Sequence, residues 1–365
     1  MSISLEKRIS SFSRLGSAFL VIANVLESPE AESSSEHKDL FSIQRQCTVM
    51  NPWFSKANIA FAFRNWSYLL NEKSLSDWLM PYKLSSGFDN QARSIALINA
   101  GNIPLVGFHD FLSILITGNR YIAKNASDDK LLLPFVADLL INYEPEFKNY
   151  IQFADRLSDF EAVIATGSNN SSRYFEYYFG KYPHVIRKNR NGVAILDGND
   201  SESFLNGLGD DVFKFYGLGC RNVSKLYVPD GYDFDAFFKS MYDRSEVMQH
   251  NKYMNNFEHH NAVLLLKQIP FLQNGFLILM ENKELASPVA VLNYEYYSDK
   301  TTLKNHLIEN RENIQCIVSS AAELMSEPIL SSIIVESGKS QLPGLSDYAD
   351  GVDTIKFLIE LNRKN

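Results

Sequence analysis

Up to about residue 85 the apolar positions follow helical spacing or none. Ile9, Phe12, Leu15 and Phe19 recur three or four apart, which predicts an amphipathic first helix. A polar break follows at Ser28–Lys38, with Pro29, Glu30 and three successive serines. From Ser94 the texture changes to short apolar runs: Ser94–Asn99, Arg120–Ala123, Ala162–Ala165, Val193–Leu196 and Lys225–Val228. Such runs, bounded by Gly, Asn or Asp, are what strands buried on both faces of a parallel sheet look like. Val106–Ile116 and Lys130–Tyr143 lie between the first three runs and are long enough for crossover helices. That alternation predicts βαβ units and an α/β domain.

After Asp230 a second unit begins, with a helix at Phe234–Tyr242 and strands at Leu277–Met280 and Val289–Leu292. The terminal Ile355–Leu361 reads Ile-Lys-Phe-Leu-Ile-Glu-Leu. Its alternation suits a strand at an edge or a subunit interface, with a short helix as the alternative. No G-x-G-x-x-G follows a predicted strand, so a bound dinucleotide would need another phosphate-holding device.

With 365 residues, 45% hydrophobic and 21% charged, the chain can bury large cores in two or three domains. Its 25 Phe and 18 Tyr predict that much of this core is aromatic. The net charge of -8 disfavours a nucleic-acid partner, because phosphate binding needs clustered Lys and Arg to displace counterions. The cysteines Cys47, Cys220 and Cys316 are odd in number and far apart. Neither a disulfide framework nor a zinc site follows from them, and a reducing cytoplasm fits best. Leu15–Leu26 is apolar, but Glu6, Lys7, Arg8 and Arg14 mix both signs before it. A folded helix is therefore preferred to a signal peptide. The longest later apolar stretch, Ala262–Met280, is interrupted by Lys267, Gln268, Pro270, Gln273 and Asn274, so no integral membrane contact is expected.

Four segments carry candidate chemistry. In Phe215–Val228, Cys220 directly follows Gly-Leu-Gly and precedes Arg221 and a strand. Glycines let backbone N–H groups approach a developing oxyanion, and Arg221 favours a thiolate; the plainer alternative is an inert small hydrophobe. Ala100-Gly-Asn-Ile-Pro104 is either an ordinary turn or one that aims the Asn102 amide as an oxyanion donor. In Gly118–Ser127 a strand ends at Lys124, which is either simply solvated or grips a ribose together with the residues after it. In Ile164–Ser168 an apolar strand meets a small-residue turn and the helix-compatible Ser171–Phe179. N–H groups at a helix start can hold a pyrophosphate, although an ordinary cap looks the same. His250, His259 and His260 suit a solvated surface better than a metal, and Cys47 and Cys316 read as core. His109-Asp110 suggests an acid–base pair only by adjacency.

The order of the segments is more specific than any one of them. Asn102-Ile-Pro, then strand–Lys124, Thr166-Gly-Ser, Gly217-Leu-Gly-Cys220 with Lys225, and Glu284-Leu-Ala-Ser-Pro-Val289 form a succession that resembles the aldehyde dehydrogenase superfamily. More closely, from about Ser94 to the C-terminus, including Asp347–Thr354, the chain resembles the LuxC family. These are the fatty acyl-CoA reductases of the luminescence type, and the likeness is to their shorter, stand-alone members. The resemblance implies an aldehyde-dehydrogenase-like α/β fold with a parallel-sheet cofactor domain and an α/β catalytic domain. The expected organisation is a helical region and NADP-binding domain over 1–195, a cysteine domain over 196–345, and a return segment with an oligomerisation strand over 346–365. By residue, it implies Cys220 as the acylated nucleophile and Asn102 as the side-chain half of an oxyanion hole, the Cys220 amide being the other half. Thr166, Gly167 and Ser168 match the turn at the cofactor pyrophosphate, Lys124 the lysine at the adenosine ribose, and Glu284 the glutamate at the nicotinamide ribose.

Two departures refine the expectation. Hydrolytic members of the superfamily carry a general-base Glu where this chain has Ile186, and Val185–Arg190 holds no carboxylate. Without that base water is poorly activated against a thioester, which suits exchange with a thiol carrier. NAD-preferring members often place a Glu three residues after the lysine, where this chain has Ser127. A carboxylate there would repel a 2′-phosphate and a hydroxyl would accept it, so NADPH is expected. The expected activity is NADPH-dependent reduction of an acyl-CoA or acyl-carrier thioester to an aldehyde by a cytoplasmic enzyme, with a homo-oligomer compatible. Oxidative aldehyde dehydrogenases, acyl-phosphate reductases and non-catalytic relatives are the alternatives.

Overall fold

In the computed structural model, which describes residues 3–84, 92–167, 169–319 and 327–363, Ser4 opens the first helix by accepting the Lys7 N–H at 3.3 Å. This helix, α1 (Leu5–Glu27), buries the stripe Phe12, Leu15, Phe19, Ile22 and Leu26. Among the described residues it alone is long and apolar enough to cross a membrane by length and composition. Helices α2 (Lys38–Met50), α3 (Lys56–Leu69) and α4 (Glu72–Leu79) complete the N-terminal layer. Phe19 meets Phe63 of α3 edge to face at 4.8 Å. Gly16 is required where α1 crosses the end of α3, since a Cβ there would lie 2.2 Å from the Leu70 carbonyl oxygen.

The chain divides into two units, Met1–Lys188 with Gly344–Asn365, and Asn189–Pro343. The first holds a sheet of β1 (Ser94–Ile98), β2 (Arg120–Lys124), β3 (Ile151–Phe153), β4 (Ala162–Thr166) and β5 (His184–Arg187). Its order is β3-β2-β1-β4-β5 and every pairing is parallel. Helices α5 (Phe108–Ile116), α6 (Leu132–Tyr143) and α7 (Asn169–Phe179) make the crossovers. Phe12, Phe111, Tyr121 and Phe147 form an aromatic centre to this core.

The terminal segment is a correction. Residues Thr354–Arg363 form a helix, where alternation at Ile355–Leu361 suggested a strand. Asp353 caps it by accepting the Lys356 N–H at 2.8 Å. Thr354, Ile355, Leu358 and Ile359 are the buried positions, a helical stripe that joins the core of the first unit.

The second unit is built from β6 (Asn191–Ile195), α8 (Glu202–Phe213), β7 (Val223–Pro229), α9 (Asp235–Met241), α10 (Asn251–Leu266), β8 (Leu272–Gln273), β9 (Ile278–Glu281), β10 (Val291–Tyr297), α11 (Lys300–Glu309), β11 (Ile314–Val318) and β12 (Ile334–Val335). Its sheet runs β12-β11-β6-β7-β10-β9-β8, parallel except for β8 against β9. Val193, Ile195, Tyr227, Leu303, Leu307 and Ile317 pack together beneath it. Helix α10 occupies the polar stretch around His250–His260 and buries only Tyr253, Phe257 and Leu264, which is why its periodicity is faint in the sequence.

Candidate active site

In the first unit the chain leaves β1 toward β2 on one side, while β4 lies on the other and continues to β5. That reversal is a topological switch point, and ligands of open α/β sheets bind outside the carboxyl ends of the strands there. Ile98 is in register with Lys124 and Ala165. The segments after β1, β2 and β4 therefore share one edge, which gathers Asn102, Lys124, Ser127, Thr166 and Gly167. Ser168 lies outside the described residues.

Side chains fix these segments. Asn99 donates its backbone N–H to the Lys124 carbonyl at 3.1 Å, and its amide to Asn125 Oδ1 at 2.8 Å and Tyr121 Oη at 3.1 Å. Asn51, at the end of α2, donates to the Gly101 carbonyl at 2.9 Å. A Cβ on Gly101 would stand 2.7 Å from that of Ala126, so glycine is what lets the Asn102 and Lys124–Ser127 segments touch. Lys124 and Ser127 are exposed, and the Ser127 hydroxyl donates to Asp128 at 2.6 Å. Asp129 is buried beside this edge, and burial raises its carboxyl to about 6.

Gly167 donates its N–H to the Arg187 carbonyl at 3.4 Å, and a Cβ there would meet Ser171 and Phe175 at 2.9 and 2.8 Å. The turn after β4 thus runs closely into the start of α7. A glycine turn feeding a helix N-terminus, flanked by an exposed lysine and hydroxyl at a switch point, fits a dinucleotide. Ile186 is half-buried on β5 opposite Ala165. Next to it, Arg187 is buried and forked onto Asp110 at 2.5 and 2.8 Å, with Thr354 Oγ1 at 3.0 Å. Asp110 is thereby committed to Arg187. The His109 ring nitrogen instead bonds the Leu345 carbonyl at 2.9 Å, and burial lowers its pKa. His109 and Asp110 make no acid–base pair.

In the second unit Cys220 is exposed, whereas Cys47 and Cys316 are buried and their thiols are pushed up to about 12 by desolvation. Phe215, Tyr216 and Gly217 are successively left-handed, at φ 54°, 57° and 77°. Two non-glycine residues in that region cost on the order of 1–3 kcal/mol each, the kind of strain that clusters at functional turns. Asn222 clamps the turn at Gly219. It takes the Gly219 N–H on Oδ1 at 2.8 Å and returns its own N–H to the Gly219 carbonyl at 3.0 Å. Its amide donates to the carbonyls of Asp211 and Lys214 at 2.9 and 2.8 Å. Arg221 is turned to the Ser340 carbonyl at 2.9 Å. Asn222, Asn51 and Asn99 were not singled out by sequence pattern, because a polar residue's distant partner leaves no local trace.

Glu284 is exposed on the segment between β9 and β10, its N–H bonded to Asn282 Oδ1 at 3.1 Å. Elsewhere in this unit a 560 Å³ cavity is lined by Asp197, Asp200, Asp230 and Asp233, a charge unsuited to phosphates. Among the described residues no three His, Cys, Asp or Glu side chains group as metal ligands.

No family model matches the chain, and no curated protein does. Solved structures do. A putative aldehyde dehydrogenase, PutA, from Anabaena variabilis superposes with TM-score 0.63 at 11% identity, over 98% of this chain and 92% of that one. A variant of the indole-3-acetaldehyde dehydrogenase of P. syringae, solved with NAD+, gives TM-score 0.61 at 12% identity, over 88% and 72%. A variant of the propionaldehyde dehydrogenase from the fucose-utilisation microcompartment of Clostridium phytofermentans gives 0.60 at 11% identity, over 93% and 84%. Likeness at this identity is likeness of fold: the chain has the fold of the aldehyde dehydrogenases.

Proposed function

We propose that this chain reduces an acyl-CoA or acyl-carrier thioester to an aldehyde with NADPH, through a thioester on Cys220. One observation carries the proposal. In an aldehyde dehydrogenase fold, the exposed cysteine stands on a turn clamped by Asn222 while the other two are sealed in cores.

Cys220 Sγ attacks the carbonyl carbon, and the tetrahedral oxyanion is assigned to the Asn102 amide and the Cys220 N–H. Collapse expels the carrier thiolate and leaves the acyl group on sulfur. Lys124, Ser127, Thr166, Gly167 and Ser168 are assigned to the adenosine and pyrophosphate half of the dinucleotide, and Glu284 to the nicotinamide ribose. NADPH, when bound, supplies the hydride that converts the Cys220 thioester to a thiohemiacetal. Cys220 is then the leaving group, released as the aldehyde forms. The apolar Ile186 supports reduction over hydrolysis, since a side chain with no proton acceptor cannot activate water.

The fold equally accommodates oxidation of an aldehyde on the same cysteine, and several neighbours are named aldehyde dehydrogenases. The deciding assay follows NADPH oxidation with acyl-CoAs of graded chain length and identifies the product. Aldehyde formed in step with NADPH consumed supports the reductase. No turnover with any acyl-CoA, beside NAD(P)+-dependent oxidation of aldehydes, overturns it.

A further inference from the structure

Beyond the Asn282 N–H bond to the Tyr294 carbonyl at 3.0 Å, the segment 282–286, which carries Glu284, has irregular backbone, yet each of its five carbonyls is bonded. Lys225 Nζ donates to the carbonyls of Asn282 and Lys283 at 3.0 and 2.8 Å. Asn293 Nδ2 donates to those of Glu284 and Ala286, both at 3.0 Å. Ser224 Oγ donates to that of Leu285 at 2.7 Å. All three donors sit on the adjacent parallel strands β7 and β10, where Lys225 is in register with Asn293.

Such an arrangement is costly to build. Lys225 is fully buried and Asn293 is 1% exposed. An ammonium taken out of water is tolerated only when its protons are all met. Here they are: the third goes to the Glu295 carboxylate on β10. Burial lowers the Lys225 pKa, and the bond to Glu295 opposes that shift. An apolar pair in the same space would leave four of those carbonyls without donors, so the polar set both satisfies the irregular backbone and holds it in one conformation. The Glu284 side chain, by contrast, is exposed.

We infer that Ser224, Lys225 and Asn293 are positioning residues, which hold 282–286 rigid so that Glu284 is presented in one pose to a ribose of the bound dinucleotide. This rests on the assignment of Glu284 under the proposed function. The three residues touch no substrate; they act through Glu284. Removal of such supporting bonds loosens the group they hold; around metal ligands it costs about 10–100-fold in affinity, and a loss at the lower end of that range is expected here.

The test is a double-mutant cycle read by direct NADPH binding, followed by nucleotide fluorescence without substrate. Lys225→Met and Glu284→Ala should each weaken binding about 10-fold or more. The double variant should bind within about twofold of Glu284→Ala, because a support has nothing left to position once the carboxylate is gone. Hydrogen exchange of the 282–286 amides should accelerate in Lys225→Met and stay unchanged in Glu284→Ala. Unaltered NADPH binding by Lys225→Met, or losses that multiply in the double variant, overturns the inference and leaves the proposed function standing. Absence of NADPH binding by the unmodified chain instead overturns the proposed function, and the inference with it. If Lys225→Met does not fold, Ser224→Ala enters the same cycle. It removes the bond to Leu285 and a longer one at 3.3 Å to the Gly192 carbonyl, so binding should fall about threefold, and by less than twofold in the Glu284→Ala background. Multiplying losses there overturn the inference equally.

Discussion

Asn222 and Gly219 bond each other twice, side chain to N–H at 2.8 Å and N–H to carbonyl at 3.0 Å, and the turn they close contains Cys220 and Arg221. Asn222→Ala deletes the acceptor for Gly219 and leaves the buried carbonyl of Asp211 without its donor at 2.9 Å. We expect a loss of about 1–3 kcal/mol in denaturant unfolding and slower acylation of Cys220. Asn222→Asp keeps the acceptor but sets a buried carboxylate oxygen against the Asp211 and Lys214 carbonyls, and should cost at least as much as Asn222→Ala. An Asn222→Ala protein as stable as the parent would show that the turn is held by something else.

Thiol reactivity should separate the three cysteines. With thiols pushed up to about 12, Cys47 and Cys316 hold only about 10⁻⁴ of their sulfur as thiolate at pH 8, and both are buried. Brief iodoacetamide treatment of the native chain should mark Cys220, and brief acyl-CoA treatment without NADPH should leave its acyl mass on the same peptide. Label confined to Cys47 or Cys316, or full activity of Cys220→Ala, would remove the cysteine from the mechanism.

The exposed pair Lys124 and Ser127 motivates a cofactor prediction. NADPH should show the higher kcat/KM, and Lys124→Ala should erode its advantage over NADH by about tenfold, the worth of one charge-assisted hydrogen bond. A parent enzyme that prefers NADH contradicts the assignment of both residues.

Ile186 lies on β5 and offers no proton acceptor, and the proposed function assigns it the place of the hydrolytic base. Pre-acylated enzyme should therefore hydrolyse slowly and be discharged by NADPH or by added CoA. Ile186→Glu should raise the yield of free acid, up to the roughly 10²–10⁴-fold that general-base catalysis supplies. The measured quantity is the ratio of free acid to aldehyde. Equal release of both by the parent would point to a different base or to a dehydrogenase.

Asp129 predicts a pH dependence of folding. Burial raises its native carboxyl to about 6 from an ordinary 3.8. A carboxyl that holds its proton more tightly in the native state favours folding most at low pH, and this contribution is lost as pH rises through about 6. Between pH 4 and pH 7 the stability difference should therefore shift in favour of Asp129→Asn by on the order of 2–3 kcal/mol. A difference that stays constant across that range would mean the carboxyl titrates normally.

Strands β1, β2, β4, β6 and β7 were legible in the sequence because burial on both faces makes them continuous apolar runs. β11 was not, since Gln315 interrupts its apolar run. The terminal helix misled because Ile-Lys-Phe-Leu-Ile-Glu-Leu satisfies both periods, and only its seat in the first core selects the helical one. Composition and local pattern thus determined the α/β class, the βαβ rhythm and the segments worth suspecting. What holds those segments was decided in three dimensions. Asn51 reaches Gly101 across 50 residues, Arg187 reaches Asp110 across 77, and Lys225 reaches Asn282 across 57. A polar residue looks the same along the chain whether it is solvated or holds a distant carbonyl. Its partner is set by strand order and register, which no local window of sequence contains.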